Sequence, residues 1–316
     1  MVEHVRLPKQ INDKILANDY KFIITGANGW LGRFLLEALH FCFGPELAKN
    51  VFVISNSKSR ITLDSGNQIS AYCYDHKFPD QQKYILCHFA FLTRDKILKI
   101  SNDEYIRQNQ AIRDNITKII NRTNPISMLY SSSGALYNKD DLYGKLKLED
   151  EIYFKELSAK MGYSIIIPRI FNLAGPYINK HNLYAISDFI IQLVKNNQIL
   201  INANFPVIRS YIHILDLFKI CLSFILDEHK NQSCLTFDTG SQKEIELFEL
   251  ANIIINLINS NAAIIRPHYN PDLPANRYVG NIQLQQKLCK KYGIILSDYQ
   301  LMILDTFHYL KNNSIF

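Results

Sequence analysis

Two side chains four residues apart, Tyr143 and Lys147, have the types and the spacing for acid–base chemistry. On a helix, residues at this separation lie on one face, one turn from each other. A lysine ammonium beside a phenol stabilises the phenolate and lowers the phenol's pKa, which brings a proton donor and acceptor closer to working pH. A serine hydroxyl from the preceding strand end, in the run at residues 131–133, can hold a substrate oxygen. This set of residues predicts proton transfer at an oxygen atom.

A glycine-rich stretch near the start, residues 22–32, reads FIITGANGWLG. A short apolar run precedes Gly26, Gly29 and Gly32, and an apolar helical pattern follows them. The first glycine allows a sharp turn, the second a close approach of backbone to a pyrophosphate, and the third a close contact between helix and strand. Unpaired N–H groups in the first turn of the helix then face the anion. The stretch predicts a dinucleotide-binding turn.

The loop after the next strand indicates which dinucleotide binds. In NAD-binding units a carboxylate about 20 residues beyond the glycines accepts hydrogen bonds from ribose hydroxyls. After a predicted strand at 51–55, residues 55–60 read SNSKSR, and no carboxylate occurs before Asp64. Hydroxyls and two cations suit a 2′-phosphate, which a carboxylate would repel. We therefore predict NADP(H) in preference to NAD(H). Asp75, after a further strand pattern at 69–74, can accept from the adenine amino group or cap its loop.

Strand and helix patterns alternate through the first half of the chain, which predicts an α/β fold with a Rossmann-type, doubly wound parallel sheet. The nearly apolar strand pattern at 84–91 is typical of a sheet covered on both faces. Further predicted elements are a strand at 128–131 and 235–239, and a helix at 104–120, 183–195, 216–226, 245–258 and 299–310. The predicted domains are a leader at 1–20, a dinucleotide-binding domain at 21–175, and a smaller, mainly substrate-binding domain at 176–316, with some segments returning to the first.

Composition narrows the class of protein. With 47% hydrophobic and 20% charged residues over 316 positions, the chain is globular. The net charge of +6 comes from scattered residues, so a negatively charged small substrate is expected and nucleic-acid binding is not. The six cysteines have no metal-ligand spacing, which predicts free thiols, no metal site and a reducing cytoplasm. No charge-free apolar run reaches the length of about 18 residues that a membrane span needs.

Together these motifs resemble the extended short-chain dehydrogenase/reductase superfamily, in particular the NAD-dependent epimerase/dehydratase family that acts on nucleotide sugars. They occur in family order: the glycine turn, the serine run, Tyr143 with Lys147, PRIFNLAGP at 168–176 and IRSYIHILD at 208–216. The resemblance runs from about residue 20 to the C-terminus. It implies a nucleotide-sugar substrate and a homodimer formed through the helices near 104–120 and 147–161.

The resemblance also assigns site residues. The family's catalytic hydroxyl lies four residues before the tyrosine of Ser-x-x-x-Tyr, which selects Ser133 here. Asn172 and Arg209 resemble residues that bind the diphosphate of the sugar nucleotide, and either Arg266 or Arg277 could supply a second arginine. The expected cofactor-binding residues are Gly26, Asn28, Gly29, Trp30, Leu31, Gly32, Ser55, Asn56, Ser57, Lys58, Arg60, Asp75, Phe89, Ala90, Asn109, Tyr143 and Lys147.

Departures from the family pattern narrow the reaction. Ser133 and Tyr143 are only ten residues apart, which implies a short loop and a more open substrate pocket. Family dehydratases that eliminate water carry Asp-Glu after the hydroxyl, where this chain has Gly134 and Ala135. We therefore expect an NADPH-dependent reductase of a nucleotide-linked 4-keto-(6-deoxy)sugar, with Tyr143 as general acid. The alternatives are a nucleotide-sugar epimerase with tightly bound NAD and a non-catalytic dinucleotide sensor, although both catalytic side chains are present.

Overall fold

The computed structural model of the protein describes residues 5–229, 233–259 and 261–316. Contacts between residues divide the described chain into two compact units. The first unit comprises the described parts of 5–169 and 221–236, and the second comprises the described parts of 170–220 and 237–316. The chain therefore leaves the first unit, returns to it for a short segment and leaves it again.

The bounds of the regular elements are as follows. The helices are α1 (Lys9–Ala17), α2 (Trp30–Phe43), α3 (Leu47–Asn50), α4 (Asn102–Thr123), α5 (Leu142–Met161), α6 (Ala185–Asn196), α7 (Ile214–Ile225), α8 (Leu247–Ile258), α9 (Gln283–Tyr292) and α10 (Tyr299–Asn312). The strands are β1 (Tyr20–Thr25), β2 (Val51–Ile54), β3 (Ser59–Thr62), β4 (Gln68–Tyr72), β5 (Lys83–His88), β6 (Ser127–Tyr130), β7 (Ser132–Ser133), β8 (Ser164–Ile170), β9 (Leu173–Ala174), β10 (Gln198–Leu200), β11 (Val207–Arg209), β12 (Ile212–His213), β13 (Cys234–Asp238), β14 (Ile245–Glu246), β15 (Ala263–Ile265) and β16 (Asn276–Tyr278).

The first unit is organised on a mostly parallel sheet, which has nine strands among the described residues. Its order is β13-β8-β6-β5-β1-β2-β4-β3, with β7 beside β8. β1 pairs in parallel with β2 on one side and with β5 on the other, so the strand order reverses at β1. Ligands of such sheets bind outside the carboxyl ends of the strands at this reversal. The predicted Rossmann-type α/β fold is confirmed.

The central strands are buried because their sequences carry almost no polar alternation. In β1, Phe22, Ile23 and Ile24 are fully buried, and every residue of β5 after Lys83 is buried. Helices α4 and α5 cover the sheet, and α4 contributes Ile116, Ile119 and Ile120 to the hydrophobic core. Parallel strands with apolar side chains on both faces need helices on both faces of the sheet, which leaves the ends of the strands as the accessible part of the sheet.

One edge of the sheet differs from the interpretation of the sequence. Residues 59–62 form β3, which runs antiparallel to β4 and pairs Ile61 with Ile69. The sequence analysis placed residues 55–60 after a strand as a loop and predicted no strand at 59–62. At an edge strand the exposed face tolerates polar residues, and only Ile61 is buried. The cation Arg60 therefore lies on a strand and Lys58 just before it.

The second unit contains small sheets covered by helices. Strand β11 pairs with β14 and β16, β9 pairs with β12, and β10 pairs with β15. Helices α6, α8 and α10 pack against one another, and their buried residues include Phe189, Ile254 and Ile303. In the part of the chain that the structure describes, no helix combines the length and the apolar character that crossing a membrane requires.

Candidate functional site

The glycine turn joins β1 to α2 at the reversal of the strand order. Gly26 has φ +73°, and a Cβ placed on it would lie 2.7 Å from the backbone nitrogen of Ala90. Gly29 is the N-cap residue of α2, and its N–H donates to the carbonyl of Gly26 at 2.9 Å. A Cβ on Gly32 would overlap that same carbonyl oxygen. The turn is therefore packed at backbone level, and it leads directly into the first turn of α2, the part of a helix whose N–H groups suit an anion.

Replacing Gly26 with alanine is expected to abolish dinucleotide binding, because a left-handed φ and a clash with Ala90 act together. Gly66 gives a matched control. It also has a positive φ, +84°, but no atom lies within 4 Å of the position of a Cβ there. Titration of each variant with NADPH, followed by fluorescence, should show loss of binding for Gly26→Ala and near-normal binding for Gly66→Ala. Equal binding by both would mean that the turn does not hold the cofactor.

A cavity of about 240 Å³ opens beside this turn, within the first unit. It runs from the glycine turn past the ends of β2 and β4 to the segment after β5. Its lining residues are Gly26, Ala27, Asn28, Gly29, Val53, Ile54, Ser55, Asn56, Ile61, Ala71, Tyr74, Ala90, Phe91, Leu92 and Ile112. An apolar cleft with a backbone-level anion cradle at one side fits a dinucleotide.

The cavity brings together six of the residues that the sequence assigned to the cofactor: Gly26, Asn28, Gly29, Ser55, Asn56 and Ala90. The lining does not include the other assigned residues, among them Asp75, which is exposed after β4. Tyr74 takes part instead, and burial raises the pKa of its phenol. The sequence analysis missed Tyr74, Phe91, Leu92 and Ile61. Phe91 and Leu92 directly follow the assigned Phe89 and Ala90, so extending that segment by two residues would have found them.

The loop from Ser55 to Lys58 follows β2 and presents no carboxylate. Ser55 Oγ donates to the carbonyl of Ser57 at 2.5 Å, and the side chains from residue 56 to residue 60 are exposed. The nearest carboxylate along the chain, Asp64, accepts from the Arg33 guanidinium at 3.1 Å. Arg33 also pairs with the buried Glu37 at 2.7 Å. Asp64 is therefore engaged with helix α2.

Asn109 binds the backbone of Leu92, one of the residues that line the cavity. It is 2% exposed, its Oδ1 accepts from the N–H of Leu92 at 2.9 Å, and its Nδ2 donates to the carbonyl of Tyr105 at 3.0 Å. The Tyr105 hydroxyl donates to the carbonyl of Leu92. These bonds fasten the segment after β5, which carries the lining residues Phe91 and Leu92.

The serine run and the start of α5 are packed together. Ser133 is buried, and its Oγ accepts from the N–H of Ala135 at 3.2 Å at the start of a 3-10 turn, Gly134–Tyr137. Tyr143 is the second residue of α5 and is half-buried. A Cβ on Gly144 would overlap the carbonyl of Ala135, so only glycine lets the helix approach this closely. The sequence analysis did not single out Gly144, although a glycine inside a helix is costly and needs a reason.

Phe91 links the two acid–base side chains to the cofactor cavity. The Tyr143 ring meets it edge-on, with ring centroids 5.5 Å apart, and the Lys147 Nζ lies 4.0 Å from the Phe91 centroid. Lys147 is buried and donates to the carbonyl of Ser131 at 2.8 Å. Burial lowers the pKa of Lys147 to about 8, against the attraction of Asp150. Lys147 and Tyr143 therefore both contact Phe91, which lines the cavity.

A buried ion cluster fixes the serine run and was missed by the sequence analysis. Glu151 is 1% exposed and accepts from Arg169 at 2.7 Å and 3.0 Å, from Lys155 at 2.7 Å and from Ser132 Oγ at 3.1 Å. Burial opposes ionisation, but these hydrogen bonds outweigh it and lower the pKa of Glu151. The position of Glu151 four residues after Lys147, on the same helix face, was the available signal.

In the second unit, Asn172 lies directly before β9, and Arg209 is the last residue of β11. Asn172 Nδ2 donates to the carbonyl of Ser210 at 2.9 Å. Arg209 Nη1 donates to the carbonyl and the side-chain oxygen of Asn276, each at 2.9 Å, and burial lowers the pKa of its guanidinium. The backbone and side chain of β16 therefore orient the Arg209 fork.

The two alternatives for a second arginine differ in their contacts. Arg266 is 5% exposed and donates to the carbonyls of Ala203 and Phe205 and to Glu246. Arg277 is half-exposed, and its Nη2 donates to both carboxylate oxygens of Glu244, at 2.6 Å and 2.8 Å. In the sheet, Arg277 is registered with Ile208 and Arg209 with Tyr278, so the two arginines project from opposite faces.

The sequence model of the NAD dependent epimerase/dehydratase family matches residues 22–233, more than half of the chain. The match begins in β1, before the glycine turn, and ends just before β13, so it includes the cavity beside that turn, the serine run, Tyr143 and Lys147. None of the curated protein sequences matches the chain.

Solved structures are similar in fold at low identity. A UDP-N-acetylglucosamine 4-epimerase from Methanobrevibacter ruminantium M1, in complex with UDP-N-acetylmuramic acid, has a TM-score of 0.71 and 16% identity over 93% of this chain and 98% of that chain. A UDP-glucose 4-epimerase from Bifidobacterium longum, in complex with NAD⁺ and UDP, has a TM-score of 0.66 and 17% identity over 93% and 99%. TunA, an NAD-dependent NDP-hexosamine 5,6-dehydratase, has a TM-score of 0.67 and 15% identity over 92% and 97%. At this identity the likeness concerns the fold alone.

Proposed function

Because the chain belongs to the NAD-dependent epimerase/dehydratase family of enzymes, we propose that it is an NADPH-dependent reductase of a nucleotide-linked 4-keto-(6-deoxy)sugar. The observation that carries the proposal is the loop after β2. It offers hydroxyls and Lys58 after the cavity-lining Ser55 and Asn56, it contains no carboxylate, and Arg60 follows on β3. Asp64 is bound by Arg33, so it does not repel a 2′-phosphate as a free carboxylate would. A reductase exchanges its cofactor at every turnover, which suits NADPH.

The cofactor's pyrophosphate would lie at the glycine turn and the first N–H groups of α2. The nicotinamide, when bound, supplies the hydride that reduces the carbonyl carbon. Tyr143 donates its phenolic proton to the carbonyl oxygen, so that the ketone becomes an alcohol and the phenolate is reprotonated from solvent. Ser133 donates a hydrogen bond to the same oxygen. The Lys147 ammonium stabilises the phenolate and binds the nicotinamide ribose.

The nucleotide diphosphate is assigned to Asn172 and Arg209 of the second unit. The Arg209 fork is already oriented by Asn276, which suits a planar anion-binding group. Arg266 and Arg277 stay alternatives for the second arginine. The exposed pair of Arg277 with Glu244 can be exchanged for a ligand, but Arg277 projects from the sheet face opposite to that of Arg209, and the nitrogens from which Arg266 donates are bound inside the unit. A homodimer through α4 and α5 stays a prediction, supported by the partly exposed Leu148 and Ile152 on α5.

A nucleotide-sugar epimerase with tightly bound NAD is the second candidate. It uses the same serine, tyrosine and lysine, and the similar structures include a UDP-glucose 4-epimerase in complex with NAD⁺ and UDP. The absence of Asp-Glu after Ser133 disfavours the dehydratases that eliminate water through those acids, since Gly134 and Ala135 carry no proton donor.

Analysis of the cofactor that the purified protein releases separates the two candidates. We expect the denatured protein to release little nucleotide, and the native protein to bind added NADPH reversibly. Stoichiometric NAD in the denatured supernatant, with no oxidation of added NADPH by any keto-sugar nucleotide, would contradict the reductase and support the epimerase.

A further inference from the structure

Two side chains of opposite charge are buried one turn apart on α5. Lys147 and Asp150 are each 4% exposed. The Lys147 Nζ donates to the backbone carbonyl of Ser131 at 2.8 Å. One oxygen of Asp150 accepts from Nη1 of Arg113, on α4, at 3.3 Å. Residues three apart on a helix are surface neighbours, so the two charges lie on the same side of α5.

The burial of Asp150 is costly and needs an explanation. Removing a carboxylate from water carries a penalty, and an apolar residue of similar size is often as stable or more stable in such a place. Arg113 offsets part of that penalty through one contact, and its guanidinium also lies over the ring of Tyr153, 5.1 Å from the centroid. The Lys147 ammonium has a backbone carbonyl as its hydrogen-bond partner, which carries no full charge. Lys147 therefore has no full counter-charge among its hydrogen-bond partners, and Asp150 is the buried carboxylate next to it on the same helix face.

The pKa values agree with an attraction between Lys147 and Asp150. Burial lowers the pKa of Lys147, and the attraction of Asp150 opposes the decrease. Burial raises the pKa of Asp150, and the attraction of Lys147 and then of Arg113 opposes the increase. Without Asp150, the opposing influence on Lys147 is lost and the neutral amine is favoured.

The other ionisable groups around the pair do not replace Asp150. They are Glu149 and Glu151 on α5, Tyr143 at the start of α5, Arg113 on α4, Tyr130 on β6 and His88 on β5. Glu149 is exposed, and Glu151 is bound by Arg169 and Lys155. Burial, with the nearby Lys147, lowers the pKa of His88 to about 3, so His88 is neutral at working pH. Burial raises the pKa of Tyr130, which keeps that phenol neutral too.

We infer that Asp150 is a positioning residue for the proposed reaction: its buried carboxylate, held by Arg113, keeps the Lys147 ammonium charged inside the protein. The charged form is the one that stabilises the Tyr143 phenolate and binds the nicotinamide ribose. This inference rests on the proposed function for its catalytic consequence, but the charge state of Lys147 can be measured without cofactor or substrate.

Competitive labelling of lysines with acetic anhydride across pH 6–11, read out by mass spectrometry, tests it directly. The reagent reacts with the neutral amine, so the pH dependence of labelling reports the pKa of each lysine. In Asp150→Asn we expect the pKa of Lys147 to decrease by about one unit, with the exposed Lys145 of the same helix as internal reference. Glu149→Gln removes the same charge from an exposed position and should leave the Lys147 titration unchanged. Asp150→Glu keeps the carboxylate, so the pKa of Lys147 in this variant should be close to that in the wild type.

A second variant keeps the test decisive if Asp150→Asn folds poorly. Asp150→Ser removes the same carboxylate with a smaller side chain, which leaves room for water beside Arg113, and it should lower the pKa of Lys147 as Asp150→Asn does. A purely structural role of Asp150 would lower the thermal stability of these variants and leave the Lys147 titration in place. Identical Lys147 titration in the wild type and in whichever of Asp150→Asn and Asp150→Ser folds would overturn the inference.

The same variants distinguish failure of the inference from failure of the proposed function. With NADPH and substrate, the alkaline limb of the kcat/KM profile should move to lower pH in Asp150→Asn by the shift seen in labelling. A lower pKa of Lys147 in Asp150→Asn, together with no binding of NADPH by the wild type, would contradict the proposed function and leave the role of Asp150 supported. Normal turnover of NADPH and substrate by Asp150→Asn, with the Lys147 titration unchanged, would support the proposed function and contradict the role of Asp150.

Discussion

Replacing Tyr143 with phenylalanine is expected to lower kcat by about 10²–10⁴-fold, the range that a positioned general acid contributes. The affinity for NADPH should stay close to that of the wild type. The change removes one oxygen atom and keeps the half-buried ring, whose centroid lies 5.5 Å from that of Phe91. Steady-state kinetics and NADPH titration measure the two effects separately.

Tyr137→Phe is the matched control for this variant. Tyr137 lies on the serine turn, is 55% exposed, and its hydroxyl accepts from Arg169 Nη1 at 2.7 Å. Losing that exposed contact should change kcat by no more than about threefold. Turnover by Tyr143→Phe at the wild-type rate would remove the proposed mechanism, and an equal loss in both variants would point to a disturbed serine turn.

The second large effect concerns the choice of cofactor. Replacing Lys58 and Arg60 together with alanine should raise the dissociation constant for NADPH by about 10- to 100-fold, since each charge-assisted hydrogen bond to a phosphate contributes about 1.5–3 kcal/mol and exposure reduces it. Binding of NADH, which lacks the 2′-phosphate, should change little. Both side chains are exposed, and Lys58 follows the cavity-lining Ser55 and Asn56 in the loop after β2.

One further variant controls for the loss of a surface charge, and another tests whether an added carboxylate shifts the preference from NADPH to NADH. Lys160→Ala removes an exposed cation from the last turn of α5 and should leave both affinities unchanged. Ser55→Asp places a carboxylate at the end of β2 and should disfavour NADPH relative to NADH. Parallel weakening of NADPH and NADH in the Lys58/Arg60 double variant would contradict a role in binding the 2′-phosphate.

Elements with strong apolar patterns were predictable from the sequence. The pattern at 51–55 corresponds to β2, Val51–Ile54, and the helical pattern at 104–120 corresponds to α4, Asn102–Thr123. These elements bury continuous apolar surface, so their periodicity follows from packing. The edge strand β3 was missed because a strand with one buried residue carries almost no periodic signal. The pattern at 245–258 hid the two strand residues of β14 before α8 begins at Leu247.

Site residues were predictable from the sequence where the residue type and its spacing are enough to indicate a role. The glycines of the first turn and the Tyr143–Lys147 spacing belong to this class. The contacts beneath them were not, because they depend on how separate elements pack. The carboxylate of Asp150 meets Arg113 of α4, and Gly144 meets the serine turn, only after the helices are placed on the sheet. Sequence distance gives no guide to such contacts.

The most direct test of the proposed function follows NADPH absorbance while the wild-type enzyme meets a panel of nucleotide-linked 4-keto-6-deoxysugars. The proposal predicts that one of them oxidises NADPH with one equivalent of reduced sugar formed for each NADPH consumed, and faster than NADH at equal concentration. Interconversion of a nucleotide-linked sugar and its epimer without net NADPH consumption would contradict the proposal and assign the same tyrosine and lysine to an epimerase.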